Sequence, residues 1–196
     1  MLGYRLNAPL DSGGLLPTGS VDAPGPVVAV PIEVKSVRDW IYPTSRELFQ
    51  LLHKAARIQE AAPPSALVLP VLVCRKAHYT TFRMAQQLGF FVVDLLVQYV
   101  SDAAGPEDHV AEVRNELGLA DIRTEIEVDE RLVRRVRKTL PTVAEGLANT
   151  WKSTVEDGRM LPVFDTMRKN LTYQQRQLRT RELRDTGDDM GLKGRW

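Results

Sequence analysis

The run Ala66-Leu67-Val68-Leu69-Pro70-Val71-Leu72-Val73-Cys74 offers water no polar side chain on either side. A strand that is apolar all round belongs in the middle of a sheet covered on both faces. Two more stretches repeat the signal. Val27-Val28-Ala29-Val30-Pro31-Ile32-Glu33-Val34-Lys35-Ser36 is β-branched and bounded upstream by Pro24-Gly25-Pro26, and Phe90-Phe91-Val92-Val93 is short and apolar. Helices fall between them. Thr44 or Ser45 can cap a helix whose stripe of Leu48, Leu51, Leu52, Ala55, Ala56 and Ile58 runs to about Glu60, where Pro63-Pro64 stops it. A second spans Thr80–Leu88 and is closed by Gly89 at the C′ position. Strand, helix, strand, helix, strand is the α/β pattern, with right-handed crossovers expected.

The rest of the chain reads differently. Residues 1–26 are broken by Pro9, Gly13-Gly14, Pro17, Gly19 and Pro24-Gly25-Pro26, leaving room for a short strand around Leu2–Leu6 or Gly14–Leu16. After Gly105-Pro106 the pattern turns helical, over Val110–Leu117, Arg131–Leu140 (followed by Pro141), Val143–Lys152, Leu161–Asn170 and Gln174–Arg184. From Asp185 onward the apolar content drops and a loose tail is expected. The domains expected are an α/β core over residues 1–100 and a helical extension over 101–196. A chain of 196 residues with 43% hydrophobic content can bury one good core. The lone Cys74 excludes an internal disulfide and fits a reducing compartment. No apolar run is long enough for a membrane helix and no leader pattern opens the chain, so a soluble, cytoplasmic protein with no membrane partner is expected.

Net charge is +1, which gives no overall pull toward polyanions, but the charge is unevenly spread. Acids dominate from Asp102 to Glu130, and bases from Arg131 onward. Glu33 and Lys35 are spaced by one, which sets them on one face of their strand, with Ile32 and Val34 on the opposite, buried face. A carboxylate beside an ammonium can hold a cation and a water together.

Ile32-Glu33-Val34-Lys35 on a strand, followed by helix, strand, helix and strand, resembles the restriction-endonuclease-like (PD-(D/E)xK) nuclease superfamily over roughly residues 20–95. The resemblance implies a three-layer αβα core with a central mixed sheet, here carrying a mostly helical C-terminal extension. It implies a metal-dependent nuclease hydrolysing phosphodiester bonds in DNA, with Mg²⁺ (or Mn²⁺) as cofactor. In that family pattern Glu33 and the Val34 carbonyl would be ligands, Lys35 would orient the attacking water, and Gln50 would sit beside the metal. An aspartate on the preceding strand should complete the set, and two are available. A hairpin centred on Pro24-Gly25-Pro26 leaves Asp22 short of Glu33, whereas a reversal centred near Asp22 brings Asp11 into register with it. Failing both, another chain, as in a homodimer, or the carboxyl-terminal region would supply the acid. A catalytically inactive nuclease-fold module that binds nucleic acid or protein is the alternative.

Basic residues are the candidates for nucleic-acid contact. Arg75, Lys76 and His78 follow a buried strand, and Arg131, Arg134, Arg135 and Lys138 lie off the Leu132, Val133, Val136 stripe of their helix. That helix could equally be a solvated one pairing with the acids at Glu125–Glu130. Gln50 has a bland reading as a surface glutamine, and His78 as a loop histidine. Trp40 and Tyr42 could stack on bases or pack at the edge of the core.

Overall fold

A computed structural model of the chain describes residues 5–6, 9–20, 22–99, 107–123 and 129–192. The centre is a mixed sheet of β1 (Ser12–Gly19), β2 (Pro24–Lys35), β3 (Leu67–Val68), β4 (Val71–Cys74) and β5 (Phe91–Asp94). Its order is β1-β2-β4-β5, with β3 also beside β2. β1 is antiparallel to β2, and every other pairing in the sheet is parallel. The long apolar run is split into β3 and β4 for a chemical reason. The register that aligns Ala29 with Val68 and Ile32 with Val71 places Pro31 beside Pro70, two residues with no N–H to donate. The ladder is interrupted there.

Helix α1 (Arg46–Ala61) connects β2 to β3, and α2 (Tyr79–Leu88) connects β4 to β5. Both pack on the same face, in a cluster that joins Leu48, Leu52, Ala56, Met84 and Leu88 to Ala29, Val68, Leu72 and Val92. Side chains on the other face, among them Val28, Val30, Leu69, Val71 and Val93, are covered by Leu140, Ala144 and Ala148. Those three belong to α5 (Leu140–Asp157), in the chain after residue 100. One of the three layers therefore comes from beyond the expected core boundary, and Trp151, Phe164 and Leu183 extend the first cluster further.

Before α5, a two-stranded pair of β6 (Gln98–Tyr99) and β7 (Ile122–Arg123) brackets α3 (Glu107–Glu116). Helix α4 (Glu130–Arg134) then widens into a π-helical turn over Arg135–Thr139 and runs straight into α5. Pro141 was expected to end the basic helix, yet it sits in the first turn of α5. Proline has no N–H for the carbonyl a turn back and crowds it, and widening the preceding turn relieves that crowding. Helices α6 (Met160–Met167) and α7 (Tyr173–Asp189) complete the fold. α7 opens with a capping box between Thr172 and Gln175 and continues through the tail expected to be loose, because Leu183 and Gly187 are buried on its inner side. The strand considered at Leu2–Leu6 lies mostly outside the described residues.

α5 passes from one hydrophobic cluster to the other where α2 ends. Gly89 closes α2 with φ +84°, and a methyl group on it would collide with the backbone of Trp151 and Leu147. Gly158 closes α5 at φ +79° with open space around it. Gly158→Ala should therefore cost only the left-handed strain of about 1–2 kcal/mol, while Gly89→Ala should cost clearly more. Denaturant midpoints of the two variants compare them directly, and equal losses would mean that the close approach of α5 carries no energy.

Candidate functional site

Glu33 and Lys35 end β2, the strand that runs between β1 and β4. The carboxylate is buried, at 3% exposure, while Val34 is 47% exposed. This reverses the burial expected for the strand. Glu33 faces α1, whereas the opposite face has lost its cover at this end, since α5 is seated further back. Lys35 Nζ donates to Glu33 Oε1 at 2.7 Å. A second ammonium, Lys54 from α1, donates to both oxygens at 3.1 and 2.9 Å. Lys54 also donates to the Pro9 carbonyl at 2.7 Å, which ties the start of the chain to the same point.

The hairpin reverses near Asp22, with Gly19 opposite Pro24 and Ser12 opposite Ile32. Extending that register by one residue sets Asp11 across from Glu33, and the Asp11 carboxylate accepts the Val34 N–H at 2.7 Å. Asp11 is exposed, so its remaining oxygen faces solvent. Asp22 is corrected by the same register: it lies in the turn at the far end of β2, roughly 30 Å from Glu33 at about 3.3 Å per residue. The acid opposite Glu33 belongs to the same chain.

Gln50 is half-buried one turn before Lys54 on the same face of α1 and has no hydrogen-bond partner among the described residues. Lys54 was missed in the sequence, although its spacing of four from Gln50 carried the signal. Among the described residues no three His, Cys, Asp or Glu side chains gather as a metal cluster. The carboxylates that the register sets across from each other are those of Asp11 and Glu33. Such a set suits a hard cation that keeps several waters and uses one or two carboxylates.

The basic candidates divide. Arg75 is buried and donates to the Arg38 carbonyl and to the Asp121 carboxylate, where Lys76 also approaches at 3.5 Å. His78 caps α2, its Nδ1 beside the Thr80 hydroxyl at 2.8 Å. Arg131 pairs with Asp94 at 2.7 Å. Arg135 lies over the Phe91 ring and donates to the Val92 carbonyl on the free edge of β5. Arg75 and Arg135 thus have partners within the fold. Arg134, Arg137 and Lys138 instead line an open recess of about 970 Å³ with Arg123 and Tyr99. Of the acids expected to neutralise this helix, Glu125 and Glu127 lie outside the described residues. Asp129 instead caps α4, accepting the Leu132 N–H.

No helix among the described residues is long and apolar enough to cross a membrane. No family model, curated protein or solved structure matches the chain.

Cys74 stands between Lys35 and Asp94 across the parallel strands and is buried. Burial, with the Asp94 charge adding to it, pushes its thiol well above the ordinary thiol range, up to about 12. The thiol should resist a disulfide reagent at pH 8 in the native protein and titrate as one group after unfolding. A folded-state value above the unfolded one contributes stability that is complete below about pH 9 and is lost as pH rises toward 12. A Cys74→Ala variant should show less of this alkaline loss in denaturant midpoints.

Proposed function

We propose that the chain is a metal-dependent nuclease that hydrolyses phosphodiester bonds in DNA at the Asp11, Glu33 and Lys35 site. The supporting observation is the register that sets Asp11 across from Glu33, with Lys35 beside the carboxylate. Two opposed acids and a lysine at the end of adjacent strands are what this chemistry uses. Asp11, Glu33 and the Val34 carbonyl would hold Mg²⁺ or Mn²⁺. When bound, the cation supplies positive charge at a phosphate oxygen and makes water more acidic.

The chain's own groups do the rest. Lys35 is half-buried, so its ammonium can turn from Glu33 to the phosphate or to the attacking water. Lys54 keeps Glu33 oriented and, through the Pro9 carbonyl, steadies the residues just before Asp11. Holding reactant and catalytic groups in place supplies much of the rate. Gln50, one turn away, can donate to a substrate oxygen.

The test is cleavage of duplex and single-stranded DNA in Mg²⁺ or Mn²⁺, with a chelator as control. Asp11→Asn and Lys35→Ala should each lower the rate by at least about a hundredfold. Asp11 is exposed and Lys35 keeps some exposure, so both variants should melt near the wild type. Wild-type cleavage by Lys35→Ala would remove the mechanism.

One observation favours a second reading, an inactive module that binds nucleic acid. Both Glu33 oxygens already accept from ammonium groups, which could leave the carboxylate as a purely structural anchor. In that case no metal stimulates hydrolysis, while binding persists through the recess at Arg123, Arg134, Arg137 and Lys138. Reversing Arg134 and Lys138 to Glu should then weaken DNA binding and flatten its dependence on log salt by roughly 0.7–0.9 per lost phosphate contact. An unchanged slope would assign this helix to structure alone.

A further inference from the structure

We propose that Trp40, Tyr42, His78 and Tyr79 form a stacking platform for the unpaired bases of single-stranded nucleic acid. This deepens the reading of the adjoining acids as a nucleic-acid site and rests on it.

The platform follows from two chain segments that leave the sheet together. Lys35 and Cys74 are in register, and a few residues further on Ile41 and Ala77 form a parallel bridge. The Ile41 N–H donates to the Lys76 carbonyl at 2.9 Å, and the His78 N–H to the Ile41 carbonyl at 3.0 Å. Extended backbone alternates its side chains. Ile41 and Ala77 turn inward and are buried, so their neighbours must turn outward.

Outward they make one surface. The Trp40 ring lies 6.3 Å from His78, Tyr42 lies 5.0 Å from it, and Tyr79 4.4 Å. The imidazole is held at the start of α2 by Thr80, so the middle of the group is rigid. Core-edge packing does not explain the rings, because Trp40, Tyr42 and Tyr79 remain 46%, 45% and 60% exposed. A grouped exposed aromatic surface marks a binding site more often than scattered apolar residues do.

Charge selects the occupant. Arg83 lies 5.2 Å over the Tyr79 ring, and Lys76, which also approaches Asp121 at 3.5 Å, is two residues before His78 in the chain. Cations at the rim of flat rings match a chain that alternates bases with phosphates, a combination sufficient for sequence-tolerant single-strand binding. A duplex keeps its base faces covered by stacking and offers such rings nothing to cover. A protein partner would use the rings without needing the cations.

The experiment measures binding without divalent ions, so no cleavage is involved and its failure is separate from failure of the hydrolysis test. The probes are a labelled thymidine oligonucleotide, its duplex, and an abasic strand of equal length. The single strand should bind the wild type at least tenfold more tightly than the abasic strand or the duplex. Trp40→Ala and Tyr79→Ala should each raise its Kd by roughly tenfold to hundredfold, with an unchanged salt slope. Trp40→Phe should recover most of the affinity. Should Trp40→Ala fail to fold, Tyr79→Ala decides, since its ring is the most exposed of the three. Wild-type affinity in the alanine variants, equal binding of the abasic strand, or no binding of the oligonucleotide would each overturn the proposal. The last two results would leave a protein partner as the occupant to test.

Discussion

A sheet that is apolar on both faces needs two covering layers, and the connections between its parallel strands supply only one. β2, β4 and β5 follow one another across the sheet in a single direction. With one crossover hand, both connecting helices then fall on the same side, and α1 and α2 do share one cluster. The other face would stand in water without α5. Each large aliphatic side chain left exposed forgoes about 1.5–3 kcal/mol, and a domain has only about 5–15 kcal/mol in total. The helices after residue 129 are therefore a condition of the fold. The glycine at the end of α2 and the widened turn before Pro141 follow from the same need, since α5 must lie close enough to serve both clusters.

Burying a carboxylate is the second constraint. Glu33 gives up its water beneath α1, which is costly unless cations and hydrogen-bond donors replace the water. Lys35 and Lys54 do so, and their side chains keep some exposure, at 19% and 15%. Removing the carboxylate would leave two half-buried cations facing each other, so Glu33 matters to the fold whatever else it does. The lysines are partners that a bound cation would have to displace or share. The site also lies at the carboxyl ends of parallel strands, where α/β proteins commonly place their ligands.

What the sequence made legible follows from how local each signal is. The strands and α1 were readable because apolar period and proline stops are short-range facts, and Leu48 through Ile58 are buried as their spacing requires. The hairpin was not. Pro24-Gly25-Pro26 looks like a turn, yet those residues open β2, and the reversal falls between Gly19 and Pro24. A shift of a few residues there decides whether Asp11 or Asp22 meets Glu33. For Arg131 and Arg135 the sequence left phosphate contact and pairing with Glu125–Glu130 equally open, because nothing local reveals that Asp94 and the Val92 carbonyl lie beside them, some forty residues earlier in the chain. The helix expected over Gln174–Arg184 is α7, but its continuation to Asp189 was not legible, because the burial of Gly187 rests on tertiary contacts rather than on an apolar stripe.

The arginines show how one composition serves two ends. Among the described residues β5 pairs with a strand on one side only, and an open sheet edge is a hazard that proteins commonly block. Arg135 blocks it by donating to Val92 while its guanidinium covers Phe91, and Arg131 ties the helix to Asp94 at the strand's end. Both point inward from a helix whose other residues, Arg134, Arg137 and Lys138, must then point outward, because a helical turn cannot send every side chain to one face. Charge on the outward face is thus a geometric consequence of anchoring the inward one with the same helix. The recess it lines begins where β5 ends, and the segments that carry Trp40 and His78 leave the sheet from the ends of β2 and β4. Strands about 4.8 Å apart put these ends within roughly 10 Å of one another across the sheet. Glu33 and Lys35 stand at the end of one of these strands, so the fold sets its buried carboxylate and its anchored arginines at the carboxyl ends of the same parallel sheet.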